Sequence, residues 1–296
     1  MHNFLFESQE PGAHDGSSRN SSQPMTTEQE YSATTLEAVS DILSQPPSIA
    51  TCHLGPHPTC CLFISWNGCI VLVYDGFPPP LVQAKIRIAN NINAALLLKE
   101  ENFGSKWPKT TLGAVNHGVD ELSSKQFERL RDMCNRYSKQ IIDEPASSDD
   151  ISTSNNRIKV ATLSIVEYQH RGLERLHGRI DIPLDDYSTI HSHGDVEEDI
   201  RNSNPSEEEQ SRVNKVISEW DDVQTYLPKV NAPGSRFGSY RQDSRGCTCV
   251  AFIDSALPVR LRASLSEFRD AVDKEFPGRY GWLDETSLHC TLRSLG

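Results

Sequence analysis

The sequence has no run of about eighteen consecutive apolar residues, the length that a membrane-spanning helix needs. Residues 1–7 also lack the basic stretch and the following apolar run of a secretory signal peptide. The first absence argues against a membrane span and the second against secretion. We therefore expect a protein of the cytoplasm or the nucleus.

The chain also lacks paired Cys-x-x-Cys motifs at the spacing of a zinc site. Its 8 cysteines fit reduced, buried thiols better than a disulfide scaffold. His191 and His193 are one metal candidate, but two histidines in an acidic, polar segment are more often ordinary polar residues. We therefore predict neither a metal nor a cofactor.

Positive charge is in deficit, because 29 Lys and Arg residues stand against 41 Asp and Glu residues and give a net charge of −12. Long nucleic-acid backbones repel such a chain, so broad nucleic-acid binding and binding to double-stranded DNA are not expected. A local basic cleft is still compatible with a short nucleotide or RNA end that carries a phosphate.

The last fifty residues, 247–296, follow the order strand, helix, strand. An apolar, β-prone run at 247–254 predicts a buried strand. After Pro258, apolar residues recur at helical spacing and predict a helix. The residues expected on the buried face of this helix are Val259, Leu261, Leu265, Phe268, Val272 and Phe276.

The final strand alternates between apolar and polar residues, which places His289, Thr291 and Arg293 on one face. An imidazole can take or give a proton near neutral pH, and a hydroxyl two positions along can donate a hydrogen bond to an adjacent oxyanion. The pattern therefore favours acid/base chemistry at this face. The alternative is that His289 is an ordinary strand histidine.

The strand, the proline-led helix and the closing sequence Leu-His-Cys-Thr-Leu-Arg-Ser-Leu-Gly resemble one lobe of the 2H phosphoesterases, the LigT-like cyclic phosphodiesterases. Members of that superfamily carry two His-x-Thr or His-x-Ser motifs, one in each lobe, that face each other across a cleft. The resemblance implies hydrolysis that requires no metal. One imidazole would deprotonate water, the other would protonate the leaving oxygen, and both hydroxyls would bind the phosphoryl group.

An earlier segment, 104–115, aligns with this motif. When Thr111-Leu112 is set on Thr291-Leu292, Lys109 falls on His289, and both segments close a strand, proline, helix, strand unit. We interpret the two as an internal repeat in which lysine replaces the first histidine. The alternative is two unrelated strands that share Thr-Leu. The predicted catalytic residues are His289, Thr291, Lys109 and Thr111.

Further residues are predicted to bind the substrate. Thr110 and Arg293 lie within the two motifs, and the glycine-rich segment 233–241 offers Arg236 and Arg241, whose guanidinium groups suit a phosphate. A solvated loop is the alternative for that segment.

The sequence does not decide the role of two other motifs. His57-Pro-Thr59 is a second literal His-x-Thr, in a proline-rich context, and is an outside candidate for the missing histidine. Gln169-His170-Arg171, with Arg175, faces either a cleft or solvent.

The rest of the chain predicts an α+β fold with two lobes of antiparallel β-sheet, flanked by helices, around a central cleft. A polar tail at 1–49 is expected to be disordered apart from a short helix near 35–43. Asn67-Gly68 predicts a tight hairpin turn. Residues 50–296 are expected to form one two-lobed domain. Lobe one covers about 50–184, an acidic linker and helix cover about 185–230, and lobe two covers about 231–296.

These observations leave three functional hypotheses. The first is a divergent phosphodiesterase that acts on a cyclic phosphate or on RNA or nucleotide ends. The second is an inactive module that binds such an end, because an ordinary lysine is a poor base near neutrality unless burial lowers its pKa. The third is a C-terminally truncated tandem 2H-like protein.

Overall fold

The computed structural model of the chain describes residues 27–91, 101, 106–143, 156–185, 203–234 and 236–296. The strands in this part of the chain are β1 (Cys52–Leu54), β2 (Leu62–Ile64), β3 (Ile70–Val73), β4 (Lys109–Val115), β5 (Ile158–Val160), β6 (Thr162–His170), β7 (Leu176–Pro183), β8 (Asp243–Phe252), β9 (Tyr280–Trp282) and β10 (His289–Ser294). The helices are α1 (Thr27–Ser44), α2 (Pro79–Asn91), α3 (Ser124–Asp143), α4 (Glu207–Ile217), α5 (Val223–Asn231), α6 (Phe237–Tyr240) and α7 (Val259–Glu275).

Eight of these strands form one sheet in the order β2-β3-β4-β10-β8-β6-β7, and β9 pairs with β4 beyond the end of β10. Neighbouring strands of the sheet are antiparallel. β1 and β5 form a separate antiparallel pair. The predicted α+β class with antiparallel strands and flanking helices is confirmed.

The centre of the sheet is built from two strand-helix-strand units. The first runs β3, α2, β4 and the second runs β8, α7, β10, with the short β9 inserted before β10. β4 and β10 are direct neighbours, so the two units meet at the middle of the sheet. Each unit therefore contributes the strand that carries its predicted motif.

The two halves of the sheet are not consecutive in the sequence. β6 pairs with β8 and β7 pairs with β6, so both strands lie on the β10 side of the sheet although they precede residue 184. The predicted lobe boundary near 184 therefore does not separate the halves of this sheet.

The hairpin predicted at Asn67-Gly68 joins β2 to β3, with Ile64 opposite Ile70. Asn67 has φ of 62° and Gly68 has φ of 75°, the left-handed conformation that a tight hairpin turn requires and that these two residue types tolerate best. The local sequence was sufficient to predict this element.

The predicted buried face of α7 is correct at five positions: Leu261, Leu265, Phe268, Val272 and Phe276. Val259 is the exception, since 82% of it is exposed. It is the first residue of the helix, directly after Pro258, and projects into solvent. The buried residues join one large apolar cluster that also contains Cys290 and Leu292 of β10.

The short helix predicted near 35–43 is part of the longer α1, Thr27–Ser44. Leu36, Val39 and Leu43 are buried because helical spacing puts them on one face, which packs near α2, β6 and β7. The described part of the predicted tail is therefore helical from Thr27 to Ser44, and residues 1–26 lie outside the described residues.

The single helix predicted within 185–230 is two helices in the structure. α4 ends at Ile217, a 3₁₀ turn covers Ser218–Asp221, and the Asp222 side chain caps α5 by accepting from the Thr225 amide. A capping aspartate inside the run is the local signal for this break. Most of the predicted acidic linker, including His191 and His193, lies outside the described residues.

None of the 8 cysteines forms a disulfide, as predicted, and all of them are buried. Within the described ranges, no helix combines the length and the hydropathy that crossing a bilayer requires.

Candidate active-site cleft

The four predicted catalytic residues lie on one face of the two central strands. Cys290 of β10 is directly opposite Thr110 of β4. Since side chains alternate along a strand, the residues on either side of this pair project to the other face. In this antiparallel register Thr291 stands opposite Lys109, and His289 stands opposite Thr111. The two motifs therefore meet as a nearly two-fold arrangement.

All four side chains line one cavity of about 170 Å³. Two of its lining residues are cations, six carry hydroxyl groups, and neither an aspartate nor a glutamate lines it within the described part of the chain. The lining residues are Lys109, Thr111, Tyr168, Arg171, Leu173, Tyr240, Thr248, Leu283, His289, Thr291 and Ser294. In a chain of net charge −12, this is a local environment suited to an anion.

His289 is held in one tautomer by its backbone neighbour. Its Nδ1 lies 2.7 Å from the carbonyl oxygen of Ser287, and a carbonyl can only accept, so Nδ1 carries the proton. Burial lowers the pKa of His289 from its usual value, and the bond to Ser287 partly offsets that change. Near neutral pH the ring is therefore uncharged, with Nε2 available to accept a proton.

Lys109 differs from an ordinary lysine. Burial lowers its pKa to about 8, although the nearby thiols of Cys290 and Cys69 act in the opposite direction. Its Nζ lies 4.3 Å from the ring centroid of Trp107, a position that favours the charged form. The ammonium group is thus cationic at neutral pH but able to release its proton within the range in which many enzymes work.

Five polar residues of the cleft were not among the predicted site residues: Tyr168, Arg171, Tyr240, Thr248 and Ser294. Tyr168 and Tyr240 both have a pKa raised by burial, so each stays a neutral phenol that can donate a hydrogen bond. Arg171 lies 6.0 Å from the ring centroid of Tyr240. Arg171 belongs to a motif that the sequence left undecided, and nothing in the local pattern distinguishes the two tyrosines from core residues.

Thr110 is a correction to the predicted substrate contacts. It is fully buried on the opposite face of β4, and its hydroxyl lies 2.8 Å from that of Tyr74. The alternation of β4 that directs Lys109 and Thr111 into the cleft directs Thr110 into the core.

Arg293 is a second correction. The register between β10 and β8 shifts so that Thr291 faces Val250 while Arg293 faces Cys249. One extra residue in β10 reverses the alternation, as in a β-bulge. Arg293 therefore lies on the core side, where its Nη1 is 3.5 Å from Glu101, and Ser294 lines the cleft instead.

Arg236 and Arg241 also lie away from the cavity. Arg236 donates to the carbonyl oxygen of Asn67 at 3.2 Å. Arg241 makes a two-pronged ion pair with Glu174, at 2.6 and 2.8 Å. Both guanidinium groups hold loops together, and the residue of the same glycine-rich segment that reaches the cleft is Tyr240.

His57 is buried outside the cleft. Its Nδ1 accepts from the Cys60 amide at 3.2 Å, and its Nε2 lies 3.0 Å from Asn214 Oδ1. Both ring nitrogens are therefore engaged in hydrogen bonds within the protein, and burial lowers the pKa of the ring. His57 is therefore not the second histidine of the site.

No group of three or more His, Cys, Asp or Glu side chains is arranged to hold a metal ion in the ranges that the structure describes. Comparison of the chain with models of protein families, with curated proteins and with solved structures found no match.

Proposed function

We propose that the protein is a phosphodiesterase that acts on a cyclic phosphate or on an RNA or nucleotide end by acid/base chemistry without a metal. One observation carries the proposal: Lys109, Thr111, His289 and Thr291 line a single cavity that is rich in hydroxyls and that no carboxylate of the described residues lines. The resemblance to 2H phosphoesterases supports the same interpretation and stays part of the proposal. RNA processing in the cytoplasm or the nucleus is the setting that such a substrate implies.

The phosphoryl group is placed between the two strands. The Thr111 and Thr291 hydroxyls donate to its non-bridging oxygens, and the cationic Lys109 and Arg171 offset its negative charge. In a partly buried cavity these interactions are stronger than the same contacts in water. They stabilise the additional charge of the transition state as well as the bound substrate.

For a 2′,3′-cyclic phosphate, His289 acts as the general base. Its Nε2 takes a proton from water while the water oxygen forms a bond to phosphorus. One ring P–O bond breaks, and the departing ribose oxygen takes a proton from the Lys109 ammonium group. The product is a phosphate monoester and a free ribose hydroxyl, and solvent restores the original protonation of His289 and Lys109.

Lys109 suits the role of the acid because its pKa of about 8 is closer to neutrality than that of an exposed lysine. It therefore gives up a proton to an alkoxide more readily while it is still charged at pH 7. This assignment replaces the second imidazole of the 2H arrangement with an amine.

The first experiment is hydrolysis of adenosine 2′,3′-cyclic phosphate by the wild type and by His289→Ala, without added metal. We expect turnover by the wild type and a loss of about 100-fold or more in kcat for the variant, since general base catalysis supplies about that factor. His177→Ala is the matched control, because His177 is an exposed strand histidine outside the cleft. Equal rates for the wild type and His289→Ala would contradict the proposal.

A second candidate is a module that binds the phosphate-bearing end without hydrolysis. The observation that favours it is the lysine at the position of the second histidine. Tight binding of a nucleoside monophosphate by a folded protein that turns over no cyclic phosphate would identify this function. The truncated-tandem hypothesis stays a prediction that depends on the reading frame after Gly296.

A further inference from the structure

A second cavity, of about 210 Å³, adjoins the first. The two share four lining residues, Lys109, Thr111, Arg171 and Tyr240, which stand between them. A ligand whose phosphate lies in the first cavity therefore has its remaining atoms within reach of the second.

Four of the eleven residues that line the second cavity are aromatic. Besides the shared residues, its walls include Phe63, Trp66 and Trp107, and no aspartate or glutamate lines it within the described ranges. The rings of Phe63 and Trp107 meet edge to face, with centroids 6.3 Å apart. A flat, uncharged ring system suits such walls, because every nucleobase has a π-face that stacks on an aromatic side chain.

Trp66 supplies the accessible stacking surface. It lies in the hairpin between β2 and β3 and is 40% exposed, unlike the buried Phe63 and Trp107. Its Nε1 donates to Glu219 at 3.2 Å, and the Nζ of Lys229 lies 5.2 Å from its ring centroid. These contacts fix the indole before any ligand binds, which reduces the entropy lost on stacking.

We propose that the second cavity binds the nucleobase of the substrate whose phosphate occupies the first cavity, with Trp66 as the stacking residue. The inference rests on the proposed function and narrows it, because it makes the substrate a nucleotide or RNA end instead of a base-free cyclic phosphate. Trp66 is a specificity residue in this account and takes no part in the proton transfers.

The test compares two substrates that differ only in the base: adenosine 2′,3′-cyclic phosphate and the 2′,3′-cyclic phosphate of methyl β-ribofuranoside. We expect the wild type to have a kcat/KM about 10-fold or more higher for the adenosine compound, a factor within the range of base stacking. Trp66→Ala loses this preference, mainly through KM. Trp66→Phe retains most of it, and Ile86→Ala, an exposed apolar residue on α2, has no effect.

Calorimetric binding of adenosine 2′-phosphate and of methyl β-ribofuranoside 2′-phosphate separates this inference from the proposed function. If neither cyclic phosphate is hydrolysed, the enzyme proposal fails, yet tighter binding of the adenosine compound that depends on Trp66 still supports the base site. Equal binding of the two monophosphates, or equal kcat/KM for the two cyclic phosphates, overturns the base site. Equal kcat/KM values for the two cyclic phosphates would still support the proposed hydrolysis.

Discussion

At the scale of single residues, burial in the cleft favours the neutral forms of His289 and Lys109. Burial disfavours the charged form of both groups, so the pKa of each falls. His289 is then largely uncharged and Lys109 still largely charged at pH 7. The sequence placed both residues among the predicted site residues but could not show that Lys109 is buried, because its burial depends on strands that are far apart in the chain.

The pH dependence of kcat/KM follows from these directions. Activity rises with pH below about 6.5 as His289 loses its proton, and falls through about pH 8 as Lys109 loses its own. Rates on adenosine 2′,3′-cyclic phosphate between pH 5 and 10 would measure both limbs. Lys109→Arg keeps the positive charge but cannot release a proton in this range, so we expect about a 100-fold lower rate and no alkaline limb near pH 8. An alkaline limb that persists in Lys109→Arg would assign it to another group.

At the scale of the elements, residue patterns within one segment predicted secondary structure well. The pairing of strands far apart in the chain could not be predicted from the sequence. The Asn67-Gly68 turn and the shared face of His289 and Thr291 depend on local sequence and were predicted correctly. The bulge that turns Arg293 away from the cleft arises from pairing with β8. β9 has only three residues, too few to show a period, and was missed.

Gly113 shows how closely β9 packs against β4. A Cβ at this position would lie 2.6 Å from the Trp282 ring and 2.9 Å from the Gly281 carbonyl oxygen. We expect Gly113→Ala to lower the free energy of unfolding by about 1–3 kcal/mol, because the strands must separate. Gly178→Ala in β7 is the control, since its nearest contacts are at 3.6 Å or more and it should change stability by less than about 0.5 kcal/mol. Urea denaturation of both variants measures the difference, and equal midpoints would refute the packing argument.

At the scale of the whole molecule, the candidate cleft lies where two strand-helix-strand units meet, at the β4–β10 pair. The suspected repeat predicted that two motifs would face each other. The sequence could not indicate that β6 and β7 join the β8 side, because sheet order depends on packing over more than a hundred residues. The contrast between the net charge of −12 and the cationic cleft is likewise a property of the folded molecule.

This charge distribution predicts that the protein recognises the terminal phosphate of an RNA instead of the phosphates along its backbone. A short RNA with a 3′-phosphate should bind about 10-fold or more tightly than the same RNA with a 3′-hydroxyl, since the terminal phosphate reaches the cleft while the net negative charge of the chain repels the other phosphates. Added salt should weaken that difference by screening. Fluorescence anisotropy on the two RNAs measures it, with double-stranded DNA as the negative control. Equal affinity for both ends would contradict the argument.

The central claim is that His289 and Lys109 act together on one phosphodiester, and a four-protein comparison of turnover tests it most directly. The rates of wild type, His289→Ala, Lys109→Met and the double variant are measured on adenosine 2′,3′-cyclic phosphate without added metal. We predict that each single change lowers kcat by about 100-fold or more and that the double variant is little slower than the worse single variant, because both groups serve the same transition state. Absence of turnover by well-folded wild type, or a His289→Ala variant as fast as the wild type, would contradict the claim.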